Sequence, residues 1–421
     1  MSPDERRSEV CVKKWIIIGV IIAVVVIASV GAVGYVVLQQ TWSKPDVVQS
    51  MVQVPNAEGV VRARWSPDGD RILYESYESS GIWIINADGT NQVQLAEGNT
   101  PVWSPDGNRI LYESCGIWIM NADGTNQVQL AEGNTPVWSP DGSRIAFASD
   151  DGLEVIGPDA TGRRLLVSTT ALAPRPAEGD SVSLDSPAWS PDGSKIAFEL
   201  ESYIHGPVDF SDPFKETGTQ LCSIWIINSG GGDAKRLTTD SAYEEHPSWS
   251  RDGQSVTFSS NRNDGEYAMW TSRVDGSGQP EPAEGGHLSP DGTRMAYLTE
   301  DEDLWLKDTD GGNAVEIAGG SGWYYNTAWS PDGTMMAFQS VIVGPVGNIW
   351  IVNADGTGKT RLTGATKSSF DCTPEWIQYK EPQWSPDGTK LLFLNGLDKG
   401  NTSWGCDRLW VLELDLEKGL S

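Results

Sequence analysis

Short apolar runs and polar turns alternate along the chain from about residue 60 to its end. Runs such as RILYES (71–76), KIAFEL (195–200) and KLLFLN (390–395) place apolar residues at the two-residue period of half-buried strands. Each run follows a five-residue string: WSPDG begins at Trp65, Trp103, Trp138, Trp189, Trp329 and Trp384, with WSRDG at Trp249 and LSPDG at Leu288. A second apolar run with Trp in a fixed slot comes next, as IWIINADG from Ile82, IWIMNADG from Ile117, IWIINSGG from Ile224 and IWIVNADG from Ile349. Looser forms stand at Met269, Leu304 and Leu409, and the third copy has Leu153 to Ile156 without the Trp. Pro presets φ for a tight turn, Asp accepts from nearby backbone donors and Gly tolerates positive φ, so SPDG and NADG both read as hairpin turns. Each of the eight units is therefore a four-stranded meander, too small to bury both faces alone, and it must stack on its neighbours.

A different pattern occupies the N-terminus. Residues 15–38 carry no charged side chain, and the 23-residue run from Ile16 is roughly 34 Å long as a helix, enough to cross a bilayer. It exceeds the apolar core of a signal peptide, so an uncleaved anchor is expected. Arg6, Arg7, Lys13 and Lys14 precede it and only Lys44 closely follows, which places residues 1–14 in the cytoplasm and everything after the span outside. The expected organisation is a tail (1–14), a transmembrane helix (15–38), a linker (39–46) and the repeat domain (47–421).

The chain has 421 residues and a formal charge of -28, from 58 acids and 30 bases. Residues 1–38 hold four bases and three acids, so the acidity belongs to the part expected outside the cell. Such a field repels phosphate backbones and argues against nucleic-acid binding. Three His and five Cys with no CxxC pair exclude zinc-ribbon and redox-motif readings, and no metal or cofactor is expected. Of the 19 Trp, 14 occupy the two repeat slots and are packing residues.

WSPDG, then IAF or ILY, then IW-x-x-NADG resembles the TolB-like β-propeller repeat, a WD-repeat-like family, over nearly all of residues 47–421. The resemblance implies an all-β, eight-bladed propeller, with seven blades as the alternative, and often a protein- or ligand-binding platform outside the cytoplasmic membrane. Two departures stand out: the chain carries the apolar span and has no room for the α/β domain that precedes the TolB propeller. It also lacks a hydrolase domain of the kind that accompanies such propellers in peptidases, and Gly319 to Trp323 misses the last Gly of a GxSxG string.

The last unit ends without a fourth strand, and residues 47–54 are expected to complete it and close the ring. The a–b and c–d turns then share one face and are short. Every long insertion, at 169–186, 201–221, 364–382 and 395–407, falls on the other, where binding residues tend to lie. That variable face is expected to point away from the membrane and to take a protein, peptide or glycan. Its candidate binding residues are Trp323, Tyr324, Tyr325, Trp376 and Trp404, with His246, Arg62, Asn326 and Glu381 at the channel rim and His287 on or near the same face. Cys372 and Cys406 lie on the same face, and a disulfide between them is expected in an oxidising compartment. No catalytic pair is evident, so the expected role is binding without catalysis. The alternative is an enzyme, glycan- or peptide-cleaving, with its site at the channel mouth.

Overall fold

Each repeat folds into a sheet of four antiparallel strands, here a to d in chain order. The computed structural model describes residues 44–421 apart from 79–80, 174–180, 206–217, 239–241, 264–265, 283–285, 300, 302, 320–321, 343–346, 365–376, 398–407, 419 and 421. Eight four-stranded blades are present among these residues, six as separate sheets and the last two joined in one eight-stranded sheet. Blade 1 comprises Val60–Trp65, Arg71–Ser76, Gly81–Asn86 and Val93–Ala96. Blade 2 runs from Asn99–Trp103 to Val128–Ala131, and blade 3 from Asn134–Trp138 to Arg164–Ser168. Blade 4 comprises Ser181–Trp189, Lys195–His205, Gly218–Asn228 and Lys235–Arg236, and blade 5 Glu244–Trp249, Ser255–Asn263, Glu266–Arg273 and Glu281–Pro282. Blade 6 comprises Gly286–Leu288, Arg294–Leu298, Leu304–Asp308 and Val315–Ala318. Blade 7 runs from Gly322–Trp329 to Thr360–Arg361, and blade 8 has Ile377–Trp384, Lys390–Leu397 and Arg408–Leu414. Its fourth strand is Val48–Gln53, antiparallel to Arg408–Leu414 with Val48 opposite Leu414. A one-residue parallel pairing, Gly347 to Gln378, also links blades 7 and 8.

The turn chemistry explains why SPDG recurs. In blade 3 the Ser139 hydroxyl donates to Asp141 Oδ1 at 2.6 Å and accepts from the Arg144 amide at 2.9 Å. Gly142 closes the turn onto the Ser139 carbonyl with φ of 68°. One side chain thus fixes both ends of the hairpin. The c–d turn docks on the a–b turn of its own blade, as Ala122 N–H donates to the Asn108 carbonyl.

At five seams the Trp of the WSPDG slot acts as a latch between blades. Its indole N–H donates to a backbone carbonyl in strand a of the preceding blade: Trp65 to Gln383, Trp189 to Val137, Trp249 to Ala188, Trp329 to His287 and Trp384 to Ala328. The acceptor is always the residue just before the corresponding Trp or Leu slot. A net gain of about 1 kcal/mol per bond adds to the burial of each ring.

Among the described residues no helix is long and apolar enough to cross a membrane. The expected span at 15–38 lies outside those residues. So do Cys372 and Cys406, whereas Cys115 and Cys222 are free thiols, exposed and buried respectively. The insertion at 201–221 is in part an extension of the sheet: strands b and c of blade 4 stay paired out to His205 and Gly218.

Candidate functional site

Strand a forms one edge of each blade, and the a strands of blades 3 and 4, 4 and 5, 6 and 7, and 7 and 8 pack against one another. In six blades this strand carries a bulge whose central residue has a left-handed backbone: Thr100, Thr135, Ser186, His246, Asn326 and Glu381, with φ between 47° and 57°. Five of the six precede Pro, which disfavours the right-handed helical region, and the sixth is Asn, which tolerates the left-handed one. Such bulges re-aim side chains and are enriched near binding sites. Arg62 occupies the corresponding strand of blade 1 and is exposed, without positive φ.

At three seams a glutamate from strand b of one blade holds the bulge of a later strand a. Thr100 N–H donates to Glu75 at 2.9 Å, Thr135 N–H to Glu113 at 3.0 Å, and His246 N–H to Glu199. In blade 7 the Asn326 amide donates to Gln339 at 2.8 Å. Glu75, Glu113, Glu199 and Gln339 hold the same register position, one residue beyond the core aromatic of strand b.

The seam between blades 4 and 5 collects further carboxylates. Glu199 and Glu244 are buried, and Glu201 and Glu245 are half-buried. Arg262 pairs with Glu244 and stacks 4.6 Å from the Trp270 ring centre and 5.5 Å from that of Phe258. Tyr243 donates to Glu201 at 3.3 Å, and Gln220 donates to Glu201 and, at 3.4 Å, to the Tyr243 oxygen. Cys222 lies beside Glu199, its sulfur 4.0 Å from Oε2, and pairs with Tyr243 through an isolated parallel bridge.

Burial raises the Glu199 pKa above the ordinary carboxylate value, outweighing the bond from His246. Burial first, then the charges of Glu199 and Glu201, pushes the Cys222 thiol up. The same sequence of causes, burial and then Glu201, raises the Tyr243 phenol. Cys222 is thus held as a thiol, the opposite of an activated nucleophile. The third buried glutamate, Glu154 in blade 3, is clamped by Arg163 at 2.7 and 2.9 Å and lies in the outer half of its blade.

The candidates from the sequence are placed as follows. His246 is exposed, its Nδ1 3.8 Å from Glu245. His287 is exposed in blade 6, its Nδ1 2.9 Å from the Thr327 carbonyl and 2.6 Å from the Thr327 hydroxyl. Asn326 is exposed and Glu381 half-buried on their bulges. Trp323, Tyr324 and Tyr325 have backbone positions in strand a of blade 7, and Trp376 and Trp404 lie outside the described residues. Among the described residues no group of three or more His, Cys, Asp or Glu is arranged to hold a metal. Glu199, Glu201, Gln220 and Cys222 were not among the sequence candidates. The shared slot of Glu75, Glu113 and Glu199 was the available signal.

Comparison with known proteins gives the following. A family model described as the TolB beta propeller domain matches residues 116–286, which run from blade 2 to the start of blade 6. An uncharacterized protein of Agrobacterium fabrum (strain C58) is 30% identical over 161 residues, covering 33% of this chain and 55% of that protein. An uncharacterized peptidase of Bacillus subtilis (strain 168) is 30% identical over 125 residues, covering 27% of this chain and 17% of the peptidase. The chain thus spans about half of the first relative and a minor part of the second. Among solved structures, dipeptidyl peptidase 4 of Porphyromonas gingivalis superposes with a TM-score of 0.57 at 15% identity, covering 82% of this chain and 56% of that one. A eukaryotic initiation factor superposes at 0.50 with 14% identity, covering 85% and 88%. At those identities the shared property is the fold.

Proposed function

We propose, from the premise that the chain carries a TolB-like β-propeller, that it is a membrane-tethered, non-catalytic binding platform outside the cytoplasm. Its working region is the channel-side surface of blades 4 and 5, and its partner is a protein, peptide or glycan that presents cationic groups. The observation that carries this reading is the group of four glutamates, Glu199, Glu201, Glu244 and Glu245, beside the longest paired hairpin of the ring. Arg262 offsets one of these charges. Two of the carboxylates are buried and hold the scaffold, while Glu201 and Glu245 are partly open and supply the charge a partner meets. Electrostatic complementarity of this kind speeds encounter and fixes orientation.

The exported domain's net acidity supports a basic partner, and the apolar run at 15–38 supports the tether. The first strand of the ring begins opposite Leu414, at the end of the last blade that carries the c–d turns. Peptidase activity is the second reading, favoured by the similarity to the peptidase of Bacillus subtilis. Against it, the thiol nearest the carboxylates is raised in pKa.

The test is binding of a library of short peptides graded from basic to acidic to the full chain in detergent, wild type against the Glu201→Gln/Glu245→Gln double variant. Basic peptides are expected to bind, with a loss on the order of tenfold in the variant at low salt. Equal binding by both proteins would remove the proposed site, and steady cleavage of the peptides would replace platform by enzyme.

A further inference from the structure

In strands b and c of every blade, alternate side chains face the next blade. The slots are filled in the same way around most of the ring: Leu73, Ile82 and Ile84 in blade 1, Ala197, Ile224 and Ile226 in blade 4, Ala337, Ile349 and Ile351 in blade 7, all buried. They meet residues of the following blade in apolar clusters, so that blades 1–2, 2–3, 3–4, 4–5, 6–7, 7–8 and 8–1 each share a buried core. Among the described residues no such cluster joins blades 5 and 6.

The residues at that seam explain the gap. Blade 5 has Thr257, Met269 and Thr271 in the three slots, the two threonines half-buried and Met269 42% exposed. Blade 6 answers with Leu288 in place of Trp, 49% exposed, and with Lys307 where six other blades place Ile, Met, Val or Leu. The Lys307 ammonium lies 4.7 Å over the Tyr297 ring, which draws it toward a polar contact in its own sheet. The Leu288 side chain has no N–H with which to make the indole latch. The other seven seams each have an indole latch or a glutamate bound to a bulge amide. Strand a of blade 6 is the shortest in the ring, with all three residues exposed.

We propose that the ring opens at the seam between blades 5 and 6, by a reversible local separation that gives lateral access to the central channel. The antiparallel pairing of Val48–Gln53 with Arg408–Leu414 holds the chain ends together while this happens, so the break in the ring is not where the chain closes it. A propeller is stabilised by nearest-neighbour contacts between repeats, and the seam with the fewest such contacts is the one that parts first. Separation wets Met269 and Leu288, which are already partly wet, and exposes no aliphatic cluster. At any other seam it would expose one.

Amide hydrogen exchange of the full chain under native conditions tests this. Peptides from Glu266–Arg273 and Arg294–Leu298 are expected to exchange on the order of tenfold faster than those from the matching strands Gly347–Asn353 and Met335–Ile342 of blade 7. The Thr271→Ile/Leu288→Trp double variant writes the pattern of the other blades into this seam, and the difference is expected to vanish. Equal exchange at the two places in the wild type overturns the proposal, with no variant required. So does fast exchange that persists in a folded double variant. The outcome is independent of the proposed partner, whose failure to bind would leave these rates unchanged.

Discussion

Trp384 offers the sharpest test of the latch between blades. The ring is 8% exposed, packs in the core shared by blades 7 and 8, and donates its indole N–H to the Ala328 carbonyl at 3.0 Å. Replacement by Leu removes the bond and roughly 60–100 Å² of buried apolar surface, which at about 25 cal/mol per Å² is about 2 kcal/mol. The lost bond adds about 1 kcal/mol. Unfolding entropy near 2.1 cal/mol/K per residue comes to about 0.8 kcal/mol/K for a unit the size of Lys44–Ser421, so about 3 kcal/mol lowers the thermal midpoint by about 4 °C. Trp384→Phe keeps an aromatic ring but leaves the Ala328 carbonyl without its donor, and it is expected to lie between the wild type and Trp384→Leu. Scanning calorimetry on the three proteins at one pH and scan rate decides. A Leu variant within about 1 °C of wild type, a quarter of the expected shift, would refute the latch as a source of stability. A Phe variant as damaging as Leu would refute the division between packing and hydrogen bond.

Other predictions concern protonation, backbone and thiols. The turn aspartates Asp106, Asp141 and Asp291 are lowered to about 2, first of all by the hydroxyl of the neighbouring Ser. Their folded values lie below the unfolded one, so the stabilisation is complete above about pH 4 and is lost as pH falls toward 2. A combined Asn variant at these three positions should show a flatter acid limb in thermal scans. Glu199 is raised, so its ionisation weakens the fold as pH rises through the unfolded and then the folded value; Glu199→Gln keeps an acceptor for His246 N–H, and its stability relative to wild type should grow with pH. Gly133 has φ of 146°, and an added Cβ would stand 2.4 Å from the Ala148 carbonyl, so Gly133→Ala should cost about 2 kcal/mol or more in denaturant titrations. With a maleimide, peptide mapping should find the exposed Cys115 labelled in the native protein and the buried Cys222 only after unfolding.

The blades were legible because their information is local. Ser, Asp and Gly of SPDG satisfy one another within six residues, and the two-residue period of RILYES or KIAFEL marks which side chains face the neighbouring sheets. What joins one blade to the next was less legible, since the partner of each latching indole is a carbonyl 42 to 61 residues away, or across the chain ends for Trp65 and Gln383. Five of the six left-handed bulges could be placed only as polar positions before Pro, because Thr, Ser and Glu carry no preference for positive φ. Glu199 and Glu201 read as ordinary members of an alternating strand; Cys222 is the cross-strand partner of Glu201 within blade 4, whereas the approach of Tyr243 and of the His246 bulge comes from contact between blades 4 and 5. The polar replacements Thr257 and Thr271, and Leu288 in the place of Trp, stood in the sequence throughout, but their meaning required knowing which slots face the next blade.

Hydrogen exchange of the full chain with and without a saturating basic peptide tests the platform reading most directly. That reading predicts slowed exchange in Lys195–His205, Gly218–Asn228 and Glu244–Trp249, with the SPDG and NADG turns of the opposite face unchanged. Slowing confined to those turns, or none in blades 4 and 5 while the peptide is bound, would contradict it.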